Sequence, residues 1–167
     1  MKLSSSLAVL LLLHAMDASA ACNLDSGYTT FGLASGATPA EAPPDALDAP
    51  KLKAVGITRG VGGVPGSCDG TGILVLDLKL PGGDYKLDEI GIEFEVLSAN
   101  SPVAVFPTTP IAITTGKRRS EILVMWPDEA PSVQKPLLME VQARAVTHGY
   151  LRGPATRFIV DSRELGK

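Results

Sequence analysis

The clearest signal in the chain is apolar residues recurring at every second position. Leu74, Leu76, Leu78 and Leu80 share one face, Asp77 and Lys79 the other, and Pro81-Gly82-Gly83-Asp84 stops the run. That period belongs to a half-buried strand, because successive side chains on a pleated backbone point to opposite faces. Ile90, Ile92, Phe94 and Val96 repeat it with Glu93 and Glu95 outward. Leu52, Val55 and Ile57 mark an opening strand before the glycine-rich loop Arg59–Gly72.

Further along, Ile111–Thr115 and Glu121–Trp126 read as two strands joined by a turn at Gly116-Lys117-Arg118-Arg119. Pro102, Pro107 and Pro110 confine the segment before them to an edge or an irregular crossing, since proline cannot donate to a ladder. After a corner at Pro127–Pro136, Met139, Val141, Ala143 and Ala145 point one way and Glu140, Gln142 and Arg144 the other. Thr156, Phe158 and Val160 form the inward face of the last strand. About seven short strands and no helical period predict an all-β fold, a seven-strand antiparallel β-sandwich over residues 51–163.

The residues before Lys51 break this pattern. Lys2, the apolar run Leu7–Leu13 and Ala18-Ser19-Ala20 make residues 1–20 a signal peptide cleaved after Ala20. The run is too short to span a bilayer, which takes about 20 apolar residues. The mature chain is therefore expected to be exported and soluble, periplasmic or secreted, with no transmembrane segment. Residues 21–50 are rich in Ala and Pro, and Thr38–Pro50 holds four prolines without apolar period. They read as a flexible, extended tail, with docking of Tyr28 and Phe31 on the domain the alternative.

Two cysteines, Cys22 and Cys68, follow the signal. In an oxidising compartment they most simply form one disulfide, which would stabilise by about 4 kcal/mol in the chain-entropy model. Ser19-Ala20-Ala21-Cys22 also resembles a bacterial lipobox, with Ser19 where that box carries Leu. A lipid anchor on Cys22 is the alternative to the bridge.

Candidate chemistry narrows quickly. A net charge of −3 excludes a strongly basic nucleic-acid binder. His148 is the one histidine beyond the signal, so neither a His/Cys zinc site nor a Ser-His-Asp triad can be assembled around it. The glycines of Arg59–Gly72 lack both phosphate-loop spacings. Asp88 with Glu89, and Glu93 with Glu95, remain as carboxylate pairs for a hydrolase or for calcium. The strand of Glu93 and Glu95 is expected to neighbour the one carrying Gln142 and Arg144, and a cross-strand Glu–Arg pair accounts for the second pair without chemistry. Trp126 follows Ile122 and Val124 at period 2 and is expected in the core rather than as a sugar platform. No cofactor or metal is expected, and no catalytic residue is assigned.

The closing segment carries a resemblance. Met139-Glu140-Val141-Gln142-Ala143-Arg144-Ala145-Val146, the loop His148–Gly153 and the small polar start Pro154-Ala155-Thr156 are similar to the end of a fibronectin type III domain. Met139 stands where that family carries an aromatic, and the second strand lacks its tryptophan. The resemblance implies an immunoglobulin-like or fibronectin-type-III-like sandwich, a binding or spacer module rather than an enzyme.

On that reading the function is protein binding or scaffolding in the cell envelope or outside the cell, with an envelope component as partner. The binding residues would be His148, Tyr150, Leu151 and Arg152, since Tyr and Arg carry interface energy. Lys117, Arg118 and Arg119 form a secondary basic tip. A structural subunit of a surface assembly is the alternative, which an edge strand open to another chain would favour. A carboxylate-based hydrolase is the remote one.

Overall fold

A computed structural model describes residues 25–62, 68–82, 85–114 and 116–165. The expected signal peptide and Cys22 lie outside the described residues, as do the middle of the glycine-rich loop and Gly83-Asp84.

Among the described residues, nine strands form two sheets that close on one core. Two short strands, β1 (Tyr28–Thr30) and β2 (Ala40–Glu41), precede β3 (Lys51–Thr58), β4 (Thr71–Lys79), β5 (Gly91–Ala99), β6 (Ile111–Ile113), β7 (Arg119–Pro127), β8 (Leu138–Val146) and β9 (Leu151–Asp161). A 3₁₀ turn, Cys68–Gly70, leads into β4, and a one-turn helix, α1 (Ser162–Leu165), follows β9. The larger sheet has the order β1-β6-β5-β8-β9-β2 and the smaller the order β3-β4-β7. Every pairing is antiparallel except β2 with β9.

Alternation explains which faces meet. Leu74, Leu76 and Leu78 of β4 and Ile122, Val124 and Trp126 of β7 join Ile92 and Phe94 of β5, Val141, Ala143 and Ala145 of β8, and Phe158 and Val160 of β9 in one apolar cluster. A leucine buried as fully as Leu76 contributes about 2 kcal/mol through removal of apolar surface from water. Gly72, opposite Trp126 in the β4–β7 register, leaves room for the indole, since a Cβ there would come within 2.2 Å of the ring. Trp126 is 2% exposed, in the core as its spacing predicts.

Three departures from the sequence pattern have local causes. A bulge between Ala54 and Gly56 shifts the phase of β3, so Ala54 is buried while Val55 is exposed. Val96 keeps the phase of Phe94, opposite Val141, but is exposed because β6 pairs with β5 only at Gly91 and Ile92, and a second bulge follows it before Ser98. The third concerns Ile111–Trp126, which is not a hairpin. β6 belongs to the larger sheet and β7 to the smaller, so Gly116–Arg119 carries the chain from one sheet to the other. Periodicity reveals that a segment is a strand but not which sheet it joins.

The segment expected as a flexible tail lies along the domain instead. β1 pairs with β6, and just before it the Ser26 carbonyl accepts from Leu123 N–H of β7 at 3.0 Å. The chain then passes the β8–β9 turn and adds β2 beside β9. Phe31 and Leu47 are both 4% exposed, and these two apolar side chains fix a segment whose prolines rule out a helix.

Candidate functional site

The turn between β8 and β9 is built by local hydrogen bonds. Tyr150 N–H donates to the Thr147 carbonyl at 2.9 Å, and Leu151 N–H donates to Thr147 Oγ1 at 3.2 Å. Tyr150 sits at φ 62°, in the left-handed region that is unusual for an aromatic residue. What holds it there is its own side chain. The Tyr150 hydroxyl donates to Glu93 Oε1 at 2.6 Å, and Arg152 Nη2 donates to the same oxygen at 2.7 Å. Arg152 also donates to the Tyr150 hydroxyl at 3.2 Å, with its guanidinium carbon 5.0 Å from the ring centre.

Glu93, Tyr150 and Arg152 thus bond to one another, although Arg152 Nε is buried without a partner. Accepting its proton, the Glu93 carboxylate raises the Tyr150 phenol above its ordinary pKa of 10.0, and burial adds to the shift. The bond to Glu93 likewise holds the Arg152 guanidinium protonated. Glu93 and Arg152 are only 15% and 30% exposed at their side chains, so little of the cluster is left for a ligand. Arg144, which alternation places opposite Glu93, turns instead to Glu41 of β2, at 3.2 Å. Glu95 accepts from Gln142 Nε2 at 3.0 Å, so the expected cross-strand Glu–Arg pair between β5 and β8 is replaced by an amide contact.

The backbone of the same turn holds the N-terminal segment. His148 stacks on Phe31 with ring centres 4.4 Å apart, and its Nδ1 lies 2.6 Å from the Gly32 carbonyl oxygen. Ala34 N–H donates to the His148 carbonyl, Ala40 N–H to that of Tyr150 and Ala42 N–H to that of Arg152, at 2.8, 3.2 and 2.8 Å. Gly91 makes room for the strap, because a Cβ there would come within 2.5 Å of the Phe31 ring. Of the residues expected to recognise a partner, His148, Tyr150 and Arg152 are engaged inside the molecule, while Leu151 is 37% exposed.

Lys117, Arg118 and Arg119 are exposed at the crossover between sheets, apart from that turn in the fold. Arg119 makes a two-pronged ion pair with Asp77 of β4 at 2.9 and 3.0 Å, and Arg118 Nη1 donates to the Gly82 carbonyl at 2.9 Å. Their backbone carbonyls also accept: Leu80 N–H donates to Arg118 and Leu87 N–H to Lys117. Among the remaining acids, Glu89 caps its own turn by accepting from Lys86 N–H at 2.7 Å.

A second polar cluster has no signature in the sequence. Arg59, at the end of β3, donates from Nε and Nη2 to Asp128 at 2.6 and 2.8 Å, and Gly60 N–H adds a third bond at 2.9 Å. Gln134 closes the corner by donating to the carbonyls of Gly60 and Glu129. Burial pushes the Asp128 carboxyl up, but its bonds from Arg59, Gly60 and Glu129 outweigh that and hold it below 3.8. The two partners are 69 residues apart, so no local motif announces them.

Among the described residues, no group of three or more His, Cys, Asp and Glu side chains could hold a metal ion, and no helix is long and apolar enough to cross a membrane. Comparisons with protein-family models, curated proteins and solved structures find no match for this chain. On the outer face of the smaller sheet, Ile73 pairs with Met125 and Val75 with Leu123, all four only half-buried. Exposed Val55 lies on the neighbouring strand β3, and Asp77, Glu121 and Arg119 stand at one end.

Proposed function

We propose that this protein is an exported, non-catalytic β-sandwich module that binds another protein in the cell envelope or outside the cell. The observation that carries it is the outer face of β3-β4-β7, where two apolar cross-strand pairs stay only half-buried beside charged residues. An apolar centre with a polar rim is the anatomy of a protein contact. The ionisable groups of the best candidate site, Glu93, Tyr150 and Arg152, bond to one another, which supports a structural role for them over an acid-base one.

The immunoglobulin-like or fibronectin-type-III-like reading draws its support from strand order. Within Lys51–Asp161 seven strands divide as β3-β4-β7 and β6-β5-β8-β9, with the β6-to-β7 connection changing sheets. We extend the proposal to a Cys22–Cys68 bridge that ties the start of the mature chain to the turn before β4. Two hydrogens less mass than the reduced chain, in the intact mature protein, is the expected result. A lipid-sized increment on Cys22 would replace the bridge with an anchor.

Cross-linking capture of the mature protein in its own envelope fraction tests the binding reading. A partner is expected to be captured by the native chain and lost with Val75→Lys plus Met125→Lys, both outward substitutions that leave the core intact. Capture undiminished by that pair would remove the surface from the account.

A further inference from the structure

One strand edge is left open beside an apolar groove. β5 pairs with β8 along its whole length but with β6 only at Gly91 and Ile92. From Glu93 onward its other side carries no ladder among the described residues, and Glu95 to Ala99 are all exposed. Every second residue of an antiparallel strand turns its N–H and C=O away from the paired neighbour. Among the described residues, no backbone bond from a loop takes up these groups of Glu93–Ala99. The cause is the following segment, in which Pro102, Pro107 and Pro110 cannot supply a ladder strand.

Instead of pairing, that segment turns under β5. Phe106 packs on Phe94 at 5.1 Å and on Phe158 at 6.1 Å, between their ring centres. Between the crossing and β5 runs a groove of about 360 Å³ lined by Phe94, Val96, Ala99, Val103, Val105 and Phe106. The bulge after Val96 marks where regular pairing ends, so Glu93–Val96 is the stretch on which another strand can be laid.

We infer that this edge accepts an extended segment of a partner protein whose side chains alternate apolar and basic. The inference rests on the reading of the protein as a binding module, but on a surface other than the outer face of the smaller sheet. Main-chain bonds to an open edge give such a segment its affinity, and alternate side chains its specificity. On the groove side the added strand meets Phe94 and Val96. On the opposite face it meets Glu93, already paired with Arg152, and Glu95, which accepts an amide hydrogen and forms no ion pair among the described residues.

Charge also argues against a second copy as the occupant. Antiparallel self-pairing centred on Phe94 sets Glu93 opposite the other copy's Glu95. Centring on Glu95 sets it opposite itself, and centring on Val96 makes the two Glu95 diagonal neighbours. Like charges across strands destabilise, whereas lysine there is attracted.

The test titrates mature protein with the synthetic peptide acetyl-Lys-Val-Lys-Val-Lys-Val-Lys-amide and follows backbone amides by NMR. Saturable binding that slows exchange at Glu93–Val96 is expected. Replacing the peptide's lysines with glutamate should weaken it at least tenfold, and replacing its valines with proline should abolish it. Val96→Lys or Glu95→Lys in the protein, both at exposed positions, should each weaken binding at least tenfold. No binding, or binding indifferent to both variants, overturns the inference. Dimerisation in light scattering that Val96→Lys abolishes overturns it too, in favour of a second copy. Failure here with envelope capture intact sinks only the edge, and loss of capture with peptide binding intact sinks only the outer-face reading.

Discussion

The Tyr150 hydroxyl reaches from the β8–β9 turn to Glu93 of β5 and donates to its Oε1 at 2.6 Å, and 57 residues of chain separate the two. The turn that carries Tyr150 is thereby fastened to β5, and through its backbone the N-terminal segment is fastened to the turn. A loop with the composition of a recognition site is thus a clamp on its own chain.

Removing that clamp should be measurable as stability. Tyr150→Phe deletes one partly buried hydrogen bond and is expected to lower unfolding free energy by about 1 kcal/mol. Glu93→Ala leaves both the phenol and the guanidinium without their acceptor and should cost about 2 kcal/mol. Urea titration followed by emission of the single tryptophan, Trp126, reads both, and the order Glu93→Ala worse than Tyr150→Phe is the essential result. Equal, negligible effects would make the cluster a surface ornament.

The corner of Arg59 and Asp128 should matter more. Asp128's side chain is fully buried and Arg59's 17% exposed. Asp128→Ala strands a largely buried guanidinium and is expected to destabilise by about 3 kcal/mol. Replacing both residues with apolar ones of similar size should recover much of that loss, which a thermal melt of single and double variants would test.

Acid should weaken the fold through two aspartates. Bonds from the Arg163 side chain and backbone hold the Asp161 carboxyl at about 2, and Asp128 also lies below 3.8. Because these folded-state values are depressed, their stabilisation is complete above the unfolded value near 3.9 and fades as pH falls through the folded values. The melting temperature is expected to hold steady from about pH 7 to 5 and drop toward pH 2. Asp161→Asn should flatten part of that drop. A profile unchanged by the substitution would remove Asp161 as a contributor.

Much of this was legible in the sequence, and the failures have physical reasons. Alternation correctly gave the inward faces of β4 and β8 and the burial of Trp126, because core-facing positions on a strand recur strictly at two. It misassigned Val55, the extra residue of a bulge, whereas Val96 keeps the phase of Phe94 and is exposed because β5 has no partner strand beside it there. β1 and β2 span three and two residues, too short for any period to register. Tyr150 and Arg152 were recognised as residues able to bind, yet nothing local tells an internal acceptor such as Glu93 from a partner's. Glu93 itself was read correctly as outward, and its face is where the turn comes to meet it.

The central claim, that residues 25–50 strap the sandwich through the β8–β9 turn, is tested most directly by amide hydrogen exchange on the protein. The amides of Ala34, Ala40 and Ala42, which donate to the carbonyls of His148, Tyr150 and Arg152, are predicted to exchange at least a hundredfold more slowly than in a free chain. Gly91→Ala, which displaces Phe31, should accelerate all three together while core amides of β4 and β8 stay protected. Free-chain exchange rates at these amides in the native protein would contradict the strap and return the turn to solvent.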